Sequence, residues 1–276
     1  MASGEVAACQ FQSGVDVEAN LQSARRFVRE AAQTGAEMAV FPEYTMYWHR
    51  NRHGGHDFRS VAQPLSGAFV DGLAESARDA GVWVVAGVIE SPDDPEGLAY
   101  NTTVILDSAG FLVASYRKSH LFDAFGYLES DDLAAGDRLF EPIPTPLGRA
   151  AVLVCYELRF PEVSRRLVLD GAEVLLVPSA WVEGRLKEQQ WRTLVMARAI
   201  ENACYVVAPG QTGNGFIGDS LIVDPMGLVL AEAGVEEDIL VAEVDRSRVE
   251  SARVAVPALA QRHPELYRER EMATNS

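Results

Sequence analysis

The chain has 276 residues, of which 48% are hydrophobic, enough to bury the core of one large domain. Its 24 basic and 40 acidic residues leave a net charge of −16 without clusters of Lys and Arg, which argues against nucleic acid or an anionic membrane as a partner. No unbroken apolar stretch reaches the ~18 residues of a membrane-spanning helix, and Met1-Ala2-Ser3-Gly4-Glu5 lacks the basic start of a signal peptide.

Strand and helix signals alternate from the start. Val6–Gln12 reads as a strand, and Asp16 as the N-cap of a helix with Leu21, Ala24, Val28 and Ala31 on one face. An apolar strand then leads through Met38-Ala39-Val40-Phe41 to Glu43. A helix over Ala68–Ala80 precedes the strand Val82–Ile89. Asn101–Asp107 and Phe111–Tyr116 flank the turn Ser108-Ala109-Gly110 as a hairpin. After an irregular stretch up to residue 148, a strand enters Cys155. Glu162–Asp170 reads as a helix, Val174–Pro178 as a strand and Leu186–Glu201 as a long helix, with four further strands behind it. Such alternation argues for a layered α/β sandwich.

Three of these strands end in chemistry. Glu43 follows one, Lys118 another, and Cys155 a third, where α/β folds open their clefts. A carboxylate can take a thiol proton, an ammonium can hold developing negative charge, and a thiolate can attack a carbonyl. Taken singly, each has a plainer reading. Cysteine after an apolar run is commonly an inert core thiol, and Glu or Lys at a strand end is commonly solvated. Cys9 and Cys204 lie in apolar runs and are read as core thiols. None of the three cysteines has paired spacing, which fits a reducing, cytoplasmic setting.

Phe41-Pro42-Glu43, Arg117-Lys118-Ser119-His120-Leu121-Phe122-Asp123 and Cys155-Tyr156-Glu157-Leu158-Arg159-Phe160-Pro161-Glu162 resemble, in order, the three motifs of the carbon–nitrogen hydrolase (nitrilase) superfamily. The resemblance continues through 197–202, Gly218-Asp219-Ser220, Asp224-Pro225-Met226-Gly227 and 262–267, and is strongest to the omega-amidase and deaminated-glutathione amidase branch. It implies an α/β fold of four layers, α-β-β-α, spanning 1–276 as a single domain. Residues 250–276 would form a C-terminal tail used in subunit contacts of a homodimer or higher homo-oligomer. It also implies Cys155 as nucleophile, Glu43 as general base, and Lys118 with the backbone N–H of Tyr156 at the oxyanion. Glu129, in Gly126-Tyr127-Leu128-Glu129-Ser130, matches a second glutamate that holds the lysine and positions substrate or water. The partners are a small amide and water, and neither metal nor organic cofactor is required.

Substrate selection is less legible. Arg159 falls where related hydrolases of carboxylated substrates carry an arginine suited to bidentate carboxylate binding; the alternative is a structural ion pair with Glu157 or Glu162. Trp181 falls where the family places the acyl pocket, and a core tryptophan is the alternative. Arg185 is expected to be an exposed basic residue. His49, His53 and His56 are read as a loop beside the Glu43 strand end rather than a metal site. Gln211-Thr212-Gly213-Asn214-Gly215 lacks the Lys-Ser/Thr of a phosphate loop. The expected activity is hydrolysis of a small linear, carboxylated amide through a cysteine thioester. N-carbamoyl amine or nitrile hydrolysis needs the same triad, and a non-catalytic scaffold of the same fold is the alternative of another class.

Overall fold

In the computed structural model, which describes residues 3–49 and 57–267, the strand Ser3–Gln10 sets the layering. Successive side chains point to opposite faces. Val6 and Ala8 enter one buried cluster, Ala7 and Cys9 another. Met38–Val40 and Trp83–Glu90 repeat the alternation, Val40 and Val85 joining the first cluster, Ala39 and Val84 the second. Strands that are apolar on both faces must be covered on both. Helices Val17–Gln33 and Ala68–Ala80 cover one face through Leu21, Phe27, Leu73 and Ala77. A second sheet, whose strands Gly148–Val152, Val174–Leu176 and Tyr205–Ala208 contribute to the first cluster, covers the other and carries helices Pro161–Leu169 and Lys187–Asn202 on its far side. The layers are therefore α-β-β-α.

The first sheet runs in the order Asp238–Asp245, Ser3–Gln10, Met38–Val40, Trp83–Glu90, Ala99–Leu106, Leu112–Arg117, with Leu133–Ala134 paired beside Ala99–Leu106. Its Ser3–Gln10, Met38–Val40 and Trp83–Glu90 strands are parallel. The second runs Val229–Glu232, Leu221–Val223, Tyr205–Ala208, Val174–Leu176, Gly148–Val152, Ile143–Thr145, parallel at its centre. Local signals fit these elements. Asp16 Oδ1 accepts from the N–H groups of Glu18 and Ala19 at 3.0 and 3.1 Å, and the helix Ala68–Ala80 ends on Gly81 at φ 69°.

Parallel strands bring their carboxyl ends to one edge, so Glu43, Cys155 and Ala180 leave neighbouring strands of facing sheets at the same end of the sandwich. Gly87 is what lets the chain around Glu43 lie so close to the next strand. A Cβ there would sit 2.6 Å from Tyr44 N and 2.9 Å from Glu43 Cα, so any side chain would displace the carboxylate.

Two features differ from the expectation. Beyond residue 202 there are six strands rather than four, because Thr212–Gly213 and Phe216–Ile217 form a two-residue hairpin around Asn214-Gly215. Residues 246–255 are a helix, N-capped by Asp245, which accepts from Ser247 N at 2.9 Å. Its sequence is polar around most of its circumference, and only Val249 and Ala252 are buried. Arg253 ties it to the second half of the molecule through the carbonyls of Ala172 and Ala203 at 2.9 and 3.3 Å. The tail expected from residue 250 thus begins inside a helix packed on its own chain. No helix among the described residues is long and apolar enough to cross a membrane.

Candidate active site

Three strand ends and one loop converge on a buried ionic cluster. Lys118 follows the strand Leu112–Arg117 directly and is only 2% exposed. Its Nζ donates to Glu43 Oε1 and to Glu129 Oε2, both at 2.8 Å. Asn101, from the neighbouring strand, donates through Nδ2 to Glu43 Oε1 at 2.7 Å and to Glu129 Oε1 at 3.2 Å. The remaining acceptor positions are also filled. Ala180 N–H reaches Glu43 Oε2 at 2.9 Å, Tyr44 OH reaches Glu129 Oε1 at 2.7 Å, and Phe122 N–H reaches Glu129 Oε2 at 2.6 Å. Buried charges need such complete pairing to persist.

Cys155 sits beside this cluster, at the start of a turn of 3-10 helix over Cys155–Arg159. Its backbone φ is +46°, and that of Tyr44, next to Glu43, is +58°. Left-handed backbone at non-glycine residues costs energy and is tolerated where surrounding structure over-determines it. Here Cys155 N–H donates to Pro178 O at 3.0 Å, and the thiol lies within hydrogen-bonding reach of the Glu43 carboxylate. Glu157 holds the turn from within. This fully buried carboxylate accepts from Val154 N–H at 2.7 Å, Tyr116 OH at 2.7 Å, Ser119 N–H at 3.0 Å and Ser119 OH at 2.6 Å. It therefore clamps the cysteine turn to the strand that delivers Lys118. With Glu157 committed there, Arg159 pairs with neither Glu157 nor Glu162. Its guanidinium donates to neutral Gln190 Oε1 at 2.8 Å and stacks 4.6 Å from the Trp181 ring centre.

The electrostatics follow from burial and pairing. Burial pulls the Lys118 pKa down, but Glu129 and Glu43 outweigh it and hold the ammonium well above its ordinary value. Burial pushes the Cys155 thiol up, Glu43 adds to that, and Lys118 opposes them; the net direction is well up, so the resting group is a thiol. Cys9 and Cys204 are core thiols with 0% exposure, raised chiefly by burial, Cys204 to about 12. Burial acts to raise Glu129, yet the charge and hydrogen bond of Lys118 hold it below its ordinary 4.5. Burial likewise acts on Glu157, and its bonds from His120, Ser119 and Tyr116 bring it below 4.5. Between the folded values and 4.5 the unfolded chain binds more protons, so the stability these two carboxylates contribute is full above 4.5 and is lost as pH falls through the folded values. Urea unfolding at about pH 7 and about pH 3.5 should show that loss, and Glu129→Gln should lose less on acidification than wild type.

The cluster forms one wall of a cleft of ≈ 550 Å³. Glu43, Lys118, Glu129, Cys155, Tyr156, Arg159 and Trp181 all line it, so the sequence-predicted site residues are brought to one place. Arg185 is exposed, as expected, but also lines the cleft. The hairpin turn Asn214-Gly215 lines it too, and Gln211 behind it donates to Glu43 O at 3.0 Å, which gives that glycine-rich stretch a place in the site. Sequence reasoning missed Asn101, Tyr44, Glu157 and Lys187. His120 bonds Ser119 and Glu157 outside the cleft. Arg198 and Glu201 pair at 2.8 Å on their helix, and Arg198 also donates to Leu158 O. His49 is exposed, and His53 and His56 lie outside the described residues. Among the described residues no group of three His, Cys, Asp or Glu side chains is placed to hold a metal ion.

Comparison with known proteins agrees with this architecture. The family model described as carbon-nitrogen hydrolase matches residues 5–254. The deaminated glutathione amidase of Escherichia coli O157:H7 is 38% identical over 258 residues, covering 93% of this chain and 96% of its own. The crystal structure of the Caenorhabditis elegans NitFhit protein superposes with a TM-score of 0.87 at 34% identity, over 97% of this chain and 67% of that one. A mutant of the amidase from Nesterenkonia sp. AN1, showing covalent addition of the acetamide moiety of fluoroacetamide at the active site cysteine, superposes at 0.80 with 26% identity over 95% of both chains. With nearly its whole length matched by the family model and by these relatives, the chain belongs to the carbon–nitrogen hydrolase, or nitrilase, family.

Proposed function

We propose that this carbon–nitrogen hydrolase is an amidase that cleaves small carboxylated amides to acid and ammonia through a thioester on Cys155. The observation that carries the reading is the Glu43–Lys118–Glu129 cluster, its carboxylates fully paired, opening into the cleft beside the one cysteine that lines it. Glu43 takes the thiol proton as Sγ attacks the amide carbon. A C–S bond forms and the carbonyl electron pair moves onto oxygen. Two carboxylates and one ammonium give the resting cluster a charge of −1, and this transfer moves that charge without adding to it. Lys118 has three N–H donors, of which two are engaged by Glu43 and Glu129, leaving one for the oxyanion beside the backbone N–H of Tyr156. When the oxyanion collapses, the C–N bond breaks and Glu43 returns its proton to the departing amine. Glu43 then accepts a proton from water, hydroxide attacks the thioester, the C–S bond breaks, and the thiolate recovers the proton. Glu129, tied to Lys118 and Asn101, holds both groups in place.

The carboxylate preference rests on Arg159, a cation on the cleft wall whose only hydrogen-bond acceptor among the described residues is the neutral Gln190. An anionic substrate must approach a cluster of net charge −1, and a guanidinium free of carboxylates offsets that repulsion. The relatives named as deaminated glutathione amidases and as an amidase agree with amide rather than nitrile chemistry. The test is ammonia release from succinamate, α-ketoglutaramate, butyramide, butyronitrile and an N-carbamoyl amino acid. The expected result is the highest kcat/KM on the carboxylated amides. Carbon dioxide released with the ammonia would identify a carbamoylase instead, and turnover of the nitrile alone would identify a nitrilase.

A further inference from the structure

The helix Lys187–Asn202 begins with a residue that does not suit it. A cation in the first helical turn opposes the helix dipole, whose positive end lies there. Lys187 is moreover only 6% exposed, and among the described residues no carboxylate or other acceptor meets its Nζ. The ammonium faces rings instead, 4.2 Å from the centre of Phe125, 5.4 Å from Phe122 and 5.7 Å from Trp181. Its backbone is held firmly, since Lys187 N–H donates to Gly184 O at 3.1 Å and Lys187 O accepts from Trp181 Nε1 at 3.1 Å. Leu186 before it has φ +61°, which turns the chain so that the helix starts at the cleft wall. Burial and the neighbouring Arg159 charge both lower the Lys187 pKa, so two like charges are kept close without an anion between them. Trp181 lies under both, with Arg159 4.6 Å from the same ring centre. The acid on this rim is Glu183, whose side chain is exposed.

We infer that Lys187 is a specificity-determining residue that binds the substrate's carboxylate together with Arg159, the helix N-terminus adding to the same positive site. The inference rests on the amidase reading and names how its substrate class is recognised. An aromatic cage leaves an ammonium with most of its hydrogen-bonding capacity unused, and a carboxylate is the ligand that completes it while separating the two cations. Phe122 and Phe125, on the loop that follows Lys118 in the chain, supply two of the rings that the ammonium faces.

Calorimetry of succinate binding to the Cys155→Ala protein reads this site without turnover. Adding Lys187→Met should weaken binding about 10- to 100-fold, with Lys187→Arg recovering most of the loss. In the catalytically intact protein, Lys187→Met should raise KM for succinamate at least about tenfold more than KM for butyramide. Lys187→Gln takes the place of Lys187→Met if the latter fails to fold. Succinate binding that is indifferent to Lys187, or a parallel rise in both KM values, would overturn the inference and leave the amidase reading standing. A protein that hydrolyses butyramide but neither binds succinate nor hydrolyses succinamate would overturn the carboxylate preference along with it.

Discussion

Cys155→Ala is expected to lower turnover of a carboxylated amide by about 10⁶-fold while leaving the protein folded. Two physical points set the size of the effect. In the proposed mechanism sulfur is the atom that forms the bond, and no second thiol lines the cleft in its place, since Cys9 and Cys204 are fully buried elsewhere. Alanine keeps the Cβ already accommodated at φ +46°, so the turn gains no new strain, and the lost sulfur is bounded by a cleft that water can fill. The check has two parts. Steady-state ammonia release should vanish, and rapid quench of the wild type with a slow amide should give a mass increase on the Cys155 peptide equal to the acyl group. Residual turnover within tenfold of wild type, or an acyl group on another residue, would falsify the thioester route.

Glu43→Gln is expected to lower kcat by about 10³- to 10⁴-fold through loss of the proton acceptor. Glutamine keeps the shape but not the hydrogen bonds. Glu43 Oε1 accepts from Lys118 and Asn101, while Oε2 accepts from Ala180 N–H. Whichever way the amide turns, its NH₂ faces a donor that the carboxylate satisfied, and a buried donor is left unmade at a cost of about 1–3 kcal/mol. Loss of stability and loss of rate are separable. Urea unfolding reports the first. Fluoroacetamide reports the second, since alkylation of Cys155 expels fluoride and needs no proton for a leaving amine. Continued alkylation with no amide turnover assigns protonation of the leaving amine to Glu43, and loss of both assigns it removal of the thiol proton as well. Turnover within tenfold of wild type would remove it from that role.

The sequence was most informative where local pattern carried the answer. Asp16 was legible as the cap of the first long helix because capping needs only neighbours along the chain. Apolar runs marked the central strands, and the ionisable residues just beyond strands, Glu43, Lys118 and Cys155, were legible as candidate chemistry because a strand end is a local feature. The helix Arg246–Ala255 was not, since a helix with two buried residues shows almost no periodicity.

The partners of the polar groups were decided only by tertiary structure. Asn101 and Glu43 are 58 residues apart, and they meet because their strands flank Trp83–Glu90 in one sheet. Glu157 looked like a partner for Arg159 two positions away, yet the fold turns it inward to Val154, Ser119 and Tyr116 and leaves Arg159 facing the cleft. Lys187 carried one local anomaly, a cation opening a helix, but its aromatic cage draws on residues 122, 125 and 181. Periodicity states which face of an element is buried and which residues lie at its ends. A hydrogen bond or an ion pair depends on atoms brought within about 3 Å by the order of strands in a sheet and the packing of one sheet on another, and no spacing along the chain encodes that distance.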